Sequence, residues 1–367
     1  MFIRRHLWAI CFSLCLIGFT AYLLLDTFAI RRVYTVVSQT GSSVSSAEES
    51  DSAEPEDAES DGTDAVAGAA DTDSAGDTET DDVDIDSAIS ADGTGTETTD
   101  TGSVGSTGSE GTETTDDESV SSSPVTTANS YRDGNISITL TEYRRYDTDI
   151  YVADVQITSV SDLKTAFADS SYGRNITEKT SEIAEDVNAI LAVNGDFYGA
   201  QESGYVIRNG VLYRDTAAED RQDLVIYEDG SFEVVEESEV TTQELLDKGA
   251  WQVLSFGPGL VEDGEIAVSE NEEVGKAMAS NPRTALGVTE DGHYLFVVSD
   301  GRTSESEGLS LYEMAEFMQS LGVATAYNLD GGGSSTMYFN GEVVNNPTTS
   351  GRSIKERSVS DIVYIGY

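Results

Sequence analysis

The sequence predicts the α+β class: a single, mixed, largely antiparallel-sheet domain with a few helices, set behind a transmembrane helix and a disordered acidic linker. Three observations carry this. Five turn dipeptides, Asn209-Gly210, Asp229-Gly230, Asp263-Gly264, Asp291-Gly292 and Asn340-Gly341, lie mostly between alternating stretches. Asn-Gly and Asp-Gly tolerate the left-handed backbone of a two-residue hairpin, so the region reads as antiparallel sheet. Helical spacing is confined to three short stretches. Finally, composition turns globular only at Tyr131, leaving residues 131–367 for one sizeable core although the length alone would allow two domains.

Taken in order, residues 1–6 are a short cap with Arg4 and Arg5. Leu7–Ile30 is apolar apart from Ser13, Thr20, Asp26 and Thr27, long enough for a helix across about 30 Å of hydrocarbon. No small-residue cleavage site ends it, so the expectation is an uncleaved signal-anchor. Arg31 and Arg32 follow, and with arginine pairs on both sides the positive-inside rule does not choose an orientation. By analogy with exported proteins, the expected placement is a single-pass cell-membrane protein with the C-terminal domain outside. Cys11 and Cys15 both fall in this segment, so the remainder is cysteine-free and has no disulfide framework.

Residues 31–130 read as the linker. Residues 41–129 contain 25 Asp or Glu and no Lys or Arg, with almost no large apolar side chains. Such a segment cannot bury enough apolar surface to offset its ordering entropy, and its charge extends it. The formal net charge of −48 excludes a nucleic-acid partner, which demands a basic footprint. The acidic runs lack the spacing of a calcium loop, so Ca²⁺ stays open without an identifiable site.

Within the domain, Ile136, Ile138 and Leu140 alternate, as do Tyr151, Ala153, Val155 and Ile157, giving two half-buried strands. Thr177–Val187 has helical spacing at Ile183, Ala184 and Val187. Ala189–Val193 is a buried strand ending at Asn194. A Thr241…Glu244 capping box starts a second helix. The third, Leu309–Leu321, buries Leu311, Ala315, Phe317 or Met318 and Leu321, with Gly322 beyond its end.

Chemistry narrows by elimination. Only His6 and His293 are present and the domain has no cysteine, so a Ser-His-Asp triad or a thiolate nucleophile is excluded as a reading. Catalysis, if present, rests on carboxylates, with arginines for any anion. The stretch Asn328–Met337 places one carboxylate, three glycines and three hydroxyls after a strand-like run. Glycines allow close approach to main-chain N–H groups, which can form an anion-binding nest. Other candidates also end or begin strands: Asn194 and Asp196, Asp300 and Arg302, Arg283, and Arg357. Each alone is more often a turn residue or surface ion pair; their shared placement beside glycines favours one site.

In order along the chain come Asn194-Gly195-Asp196-Phe197-Tyr198, Pro282-Arg283-Thr284-Ala285-Leu286-Gly287, Asp300-Gly301-Arg302, Asn328–Met337 and Arg357-x-Val359-Ser360-Asp361. This set resembles the phosphodiester glycosidase family over Ala189–Tyr367, with Asp196 and Tyr198 standing where that family often has glycine and phenylalanine. The resemblance implies hydrolysis of sugar 1-phosphodiesters at the anomeric bond, acting on surface glycans or exopolysaccharide. A phosphomonoester leaves readily, so a carboxylate near the anomeric carbon and cations on the phosphate would suffice. On that reading Asp330 is nucleophile or base, with Asp196 or Asp300 as second carboxylate. Arg283, Arg302 and Arg357 would hold the phosphate. Gly331, Gly332, Gly333 and Ser334 would line the pocket, and Asn194 and Asn328 would bind sugar hydroxyls. The competing readings are a non-catalytic wall- or polysaccharide-binding module and a structural surface protein.

Overall fold

The computed structural model describes residues 12–22, 30–34, 124–270 and 280–367. Residues 12–22 are helical and exposed; residues 7–11 and 23–29 of the expected span, and linker residues 35–123, lie outside the described residues. Among the described residues no helix is long and apolar enough to cross a membrane.

All five hairpin dipeptides join consecutive antiparallel strands. Asn209, Asp263 and Asn340 take the left-handed φ that those turns require. The strands form three main antiparallel sheets among the described residues. The largest has nine strands, in the order Glu265–Ile266, Gly259–Glu262, Val323–Asn328, Arg283–Thr289, Tyr294–Ser299, Thr148–Ile157, Ile136–Arg145, Ser130–Arg132 and Val125–Thr127. A second, of five, runs Glu342–Val343, Met337–Phe339, Leu191–Asn194, Asp361–Ile365 and Leu163–Phe167. The third, also of five, runs Val211–Arg214, Val206–Arg208, Ala250–Leu254, Gln222–Tyr227 and Phe232–Glu236.

One face of each sheet feeds a shared core. Ile138, Val155, Leu286 and Phe296 from the first meet Leu191, Val193, Met337 and Val363 from the second and Leu224 and Leu254 from the third. Burial of each such side chain contributes about 1.5–3 kcal/mol, so the apolar faces hold the sheets together, with side-chain hydrogen bonds such as Thr284 to Asn194 and Arg208 to Asp361 crossing between them.

The helices follow their sequence signals. α1, Thr180–Asp186, packs Ile183 and Ala184 on the second sheet. α2, Thr242–Asp247, begins at the Thr241–Glu244 capping box. α3, Leu311–Ser320, begins at a second box, Ser310 with Glu313, that the sequence reading passed over. It buries Leu311, Met314, Ala315, Phe317 and Met318 against the outer face of the nine-stranded sheet, with Gly322 at φ +80° past its end.

The chain also departs from the sequence expectation at the linker's start. Strand Arg32–Val33 pairs antiparallel with Gly173–Arg174, the Tyr34 amide donates to the Tyr172 carbonyl at 2.9 Å, and Arg31 pairs with Asp169. A Cβ at residue 173 would stand 1.9 Å from the Arg32 carbonyl oxygen, so this pairing requires Gly173. Composition could not reveal it, because four residues make no periodic pattern.

For function, one connection matters most. Asn328–Met337 leaves the end of Val323–Asn328 in the nine-stranded sheet and enters Met337–Phe339 in the second sheet. The glycine-rich string is therefore the crossover between two sheets, at the point where their strand ends meet.

Candidate active site

The crossover is clamped from behind by Asn194. Its side-chain amide donates to the Asp330 carbonyl at 2.6 Å, and its Oδ1 accepts from the Thr284 hydroxyl at 2.8 Å and the Thr336 amide at 3.3 Å. The Asp330 amide in turn donates to the Gly195 carbonyl at 3.3 Å. Asn194 is fully buried and its carboxamide is engaged, so it positions the crossover rather than reaching outward for sugar hydroxyls. Asn328 is likewise buried, with Nδ2 on the Gly257 carbonyl at 2.8 Å.

The three glycines serve close approach more than an anion nest. The Gly332 amide donates to the Pro282 carbonyl at 2.8 Å and the Ser334 amide to the Gly331 carbonyl at 3.3 Å, so those two N–H groups close the turn. A Cβ at Gly333 would stand 2.3 Å from the Thr349 hydroxyl oxygen. One at Gly332, which has φ +62°, would stand 2.9 Å from Arg302 Nη2. The glycines thus let Arg302 and the Thr349 loop lie directly on the backbone.

On this platform Asp330 meets Arg357. Nη2 of Arg357 stands 3.0 Å from Asp330 Oδ2, and Nε and Nη2 donate to the Ser334 hydroxyl at 2.8 and 2.6 Å. Burial pushes the Asp330 carboxyl up from its ordinary value; Arg357, the Ser334 hydroxyl and the Gly331 amide pull it back only in part. Arg302 is held by Asn281 Oδ1, at 3.1 Å from Nε and 2.8 Å from Nη2, and by the Thr349 carbonyl. Burial lowers its basicity, and so does the charge of Arg357 nearby. Both guanidiniums thus lie on the same turn, Arg302 against Gly332 and Arg357 on the Gly331 carbonyl, Ser334 and Asp330.

The other expected carboxylates are spent elsewhere. Asp300 Oδ1 accepts from the Asn346 amide at 2.8 Å and Asn345 Nδ2 at 3.2 Å, while its Oδ2 accepts from Asn346 Nδ2 at 2.9 Å. Asn345 also holds the Ser335 carbonyl and Met337 amide, so Asp300 braces the far end of the crossover. Asp196 is fully buried: Oδ2 takes Arg208 Nη2 at 2.8 Å and the Ser255 amide at 2.7 Å, and Oδ1 takes the Tyr198 amide at 3.1 Å. Arg283 is buried with Nε on the Leu309 carbonyl at 2.9 Å.

Sequence reasoning missed Arg208, which stands beside the Asn209-Gly210 hairpin turn with no local sign of its burial. It is fully buried between Asp196 and Asp361, donating to Asp361 Oδ2 from Nε at 3.2 Å and Nη2 at 3.0 Å. One cation between two buried carboxylates leaves an excess negative charge. Burial, then repulsion from Asp196, pushes the Asp361 carboxyl up, and its Oδ1 has no hydrogen-bond partner among the described residues. A Cβ at Gly195 would stand 2.2 Å from that oxygen, which explains the glycine of Asn194-Gly195-Asp196. Asn281, Asn345 and Asn346 were missed too, since a lone asparagine in a loop carries no sequence signal. Among the described residues, no group of three or more His, Cys, Asp or Glu is placed to hold a metal ion.

Residues 187–366 match the family described as phosphodiester glycosidase. The prophage-derived protein YomE of Bacillus subtilis is 30% identical over 203 residues, 54% of this chain and 31% of that protein. The N-acetylglucosamine-1-phosphodiester alpha-N-acetylglucosaminidase of Mus musculus is 30% identical over 172 residues, 43% of this chain and 33% of that protein. The chain thus spans about a third of the length of the curated relatives it matches. Among solved structures, the catalytic domain of the zebrafish N-acetylglucosamine-1-phosphodiester alpha-N-acetylglucosaminidase, auto-inhibited by its pro-peptide, shares the fold. Its TM-score is 0.51 at 22% identity, covering 63% of this chain and 83% of that one.

Proposed function

With residues 187–366 carrying the phosphodiester glycosidase pattern, we propose that the chain hydrolyses the anomeric carbon–oxygen bond of sugar 1-phosphodiesters, releasing the sugar and a phosphomonoester. The observation that carries the reading is the convergence of Arg302 and Arg357 on the Gly331–Ser334 turn that follows Asp330, with Asp300 and Asp196 bound elsewhere.

The chemistry needs little more. A phosphodiester enters with one negative charge, and a second develops on the phosphate as the anomeric bond breaks. Two guanidiniums match the departing charge better than the bound one, which is the difference that lowers a barrier. A phosphomonoester is a good leaving group, so no strong general acid is required. Asp330 then acts on the sugar side, attacking the anomeric carbon or drawing the proton from the attacking water. Arg357 aligns it, while Asn194, and Asp300 through Asn345, hold the crossover in place.

The proposed setting is outside the cell membrane, anchored through residues 7–30 and acting on surface glycan or exopolysaccharide. What supports it is the apolar stretch flanked by arginines and the acidic, cysteine-free sequence that follows. Incubating the protein and its Asp330→Asn variant with α- and β-linked sugar 1-phosphodiesters, and following both products, tests the reading. Release of sugar and phosphomonoester by wild type alone supports it; binding without release favours the non-catalytic module.

A further inference from the structure

Beside Arg357 opens a cavity of about 420 Å³ lined by Lys179, Thr349, Ser350, Ser353, Lys355, Glu356, Arg357 and Ser358. We infer that this cavity is a second anion subsite, taking a phosphate on the leaving-group side of the substrate, so that the preferred substrate is a glycan with repeated phosphodiesters. The inference rests on the hydrolase reading above and adds the substrate class.

Charge is the first argument. The chain carries 68 acidic and 20 basic residues, yet three cations and one acid line this cavity. That acid is turned away: Glu356 accepts the Ser181 amide at 3.0 Å and the Ser181 hydroxyl at 2.7 Å. Lys179 keeps an exposed partner, Glu182, at 2.6 Å, a pairing that solvent weakens and a phosphate can compete with. The remaining lining is hydroxyl, suited to phosphate and sugar oxygens.

Continuity with the site is the second argument. Arg357 touches Asp330 and Ser334 and lines the cavity, so a group held by its guanidinium leads from Asp330 into the cavity. The loop that forms the wall is fixed. The Lys355 amide donates to the Pro347 carbonyl at 2.7 Å, the Thr348 hydroxyl to the Ser353 carbonyl at 2.7 Å, and the Arg357 amide to the Gly333 carbonyl at 3.2 Å. A Cβ at Gly351, whose φ is +75°, would stand 1.9 Å from the Arg302 carbonyl oxygen, so the loop also seats on Arg302. The cations are thus presented by a preorganised wall rather than a free tail, which reduces the ordering cost of binding.

The test compares two compounds on the full-length chain: a sugar 1-phosphodiester of glycerol, and the same compound with a phosphate on the far glycerol hydroxyl. Wild type is expected to favour the second by about tenfold in kcat/KM, through KM, as ion pairs of modest strength add up. Lys355→Gln combined with Lys179→Gln should bring that preference to about twofold or less while leaving turnover of the first compound unchanged. Equal kcat/KM for the two compounds in wild type, or an equal loss on both in the variant, overturns the inference. Binding of glycerol 1,3-bisphosphate against glycerol phosphate, measured by calorimetry, separates the two readings. If neither substrate turns over, only the hydrolase reading falls; tighter bisphosphate binding that the double variant abolishes supports the subsite, and its absence overturns it.

Discussion

Arg357 Nη2 stands 3.0 Å from Asp330 Oδ2, and its Nε and Nη2 both donate to the Ser334 hydroxyl, so the arginine fixes the carboxylate's direction as well as its charge. Replacing Asp330 with asparagine keeps the shape and removes the charge. The expected result is a loss in kcat of about 10²–10⁴ with the melting temperature little changed. Steady-state kinetics beside a thermal melt reads both.

The same pair sets a pH dependence. Asp330 must be ionised to act, so kcat/KM falls as pH drops through its pKa. Burial places that pKa above the ordinary 3.8, so the acid limb lies above the usual carboxylate position. Arg357 pulls the pKa down, so Arg357→Gln should move the limb to higher pH. A limb that stays put or moves down would show that Asp330 is not the titrating group.

Arg302 lies over Gly332 and, among the described residues, has no acidic partner of its own. Arg302→Gln should lower kcat by about 10²–10³, since its charge is used mainly as the phosphate departs. A change confined to KM would assign it to ground-state binding instead.

Asp300 separates bracing from catalysis. Its oxygens are taken by Asn345 and Asn346, so Asp300→Ala should cost about 1–3 kcal/mol of stability by orphaning those donors. Asn346→Ala should lower the melting temperature in the same direction. An Asp300→Asn variant that melts like wild type but has lost activity would instead make Asp300 a participant.

The buried Arg208 cluster predicts a second pH effect, on stability. Asp361 has a raised pKa in the folded state, so folding takes up a proton there. Its stabilising share is present below the unfolded carboxylate pKa and is lost as pH rises toward neutrality through the folded one. Asp361→Asn should flatten that part of the stability–pH curve. Arg208→Met leaves two carboxylates without their cation and should cost about 3–5 kcal/mol. Chemical denaturation across pH measures both.

Much of this was legible in the sequence because the signals are local. The hairpin dipeptides fix turns by backbone φ, the Thr241–Glu244 box is a three-residue spacing, and Asp330 stands next to glycines. What was illegible depends on long-range pairing. Asp196 and Asp330 look alike as carboxylates after strands, and only the arrival of Arg208 separates them. Asn194 looked like a sugar ligand because nothing local says its amide clasps the Asp330 carbonyl. The Arg32–Val33 pairing with Gly173–Arg174 crosses the whole acidic linker, beyond the reach of any periodicity.

The central claim is that water attacks carbon, not phosphorus. Hydrolysis of a sugar 1-phosphodiester in ¹⁸O-enriched water, with mass analysis of both products, reads it directly. The expected outcome is label in the released sugar and an unlabelled phosphomonoester. Label in the phosphate would mean cleavage at phosphorus and would contradict the role given to Asp330.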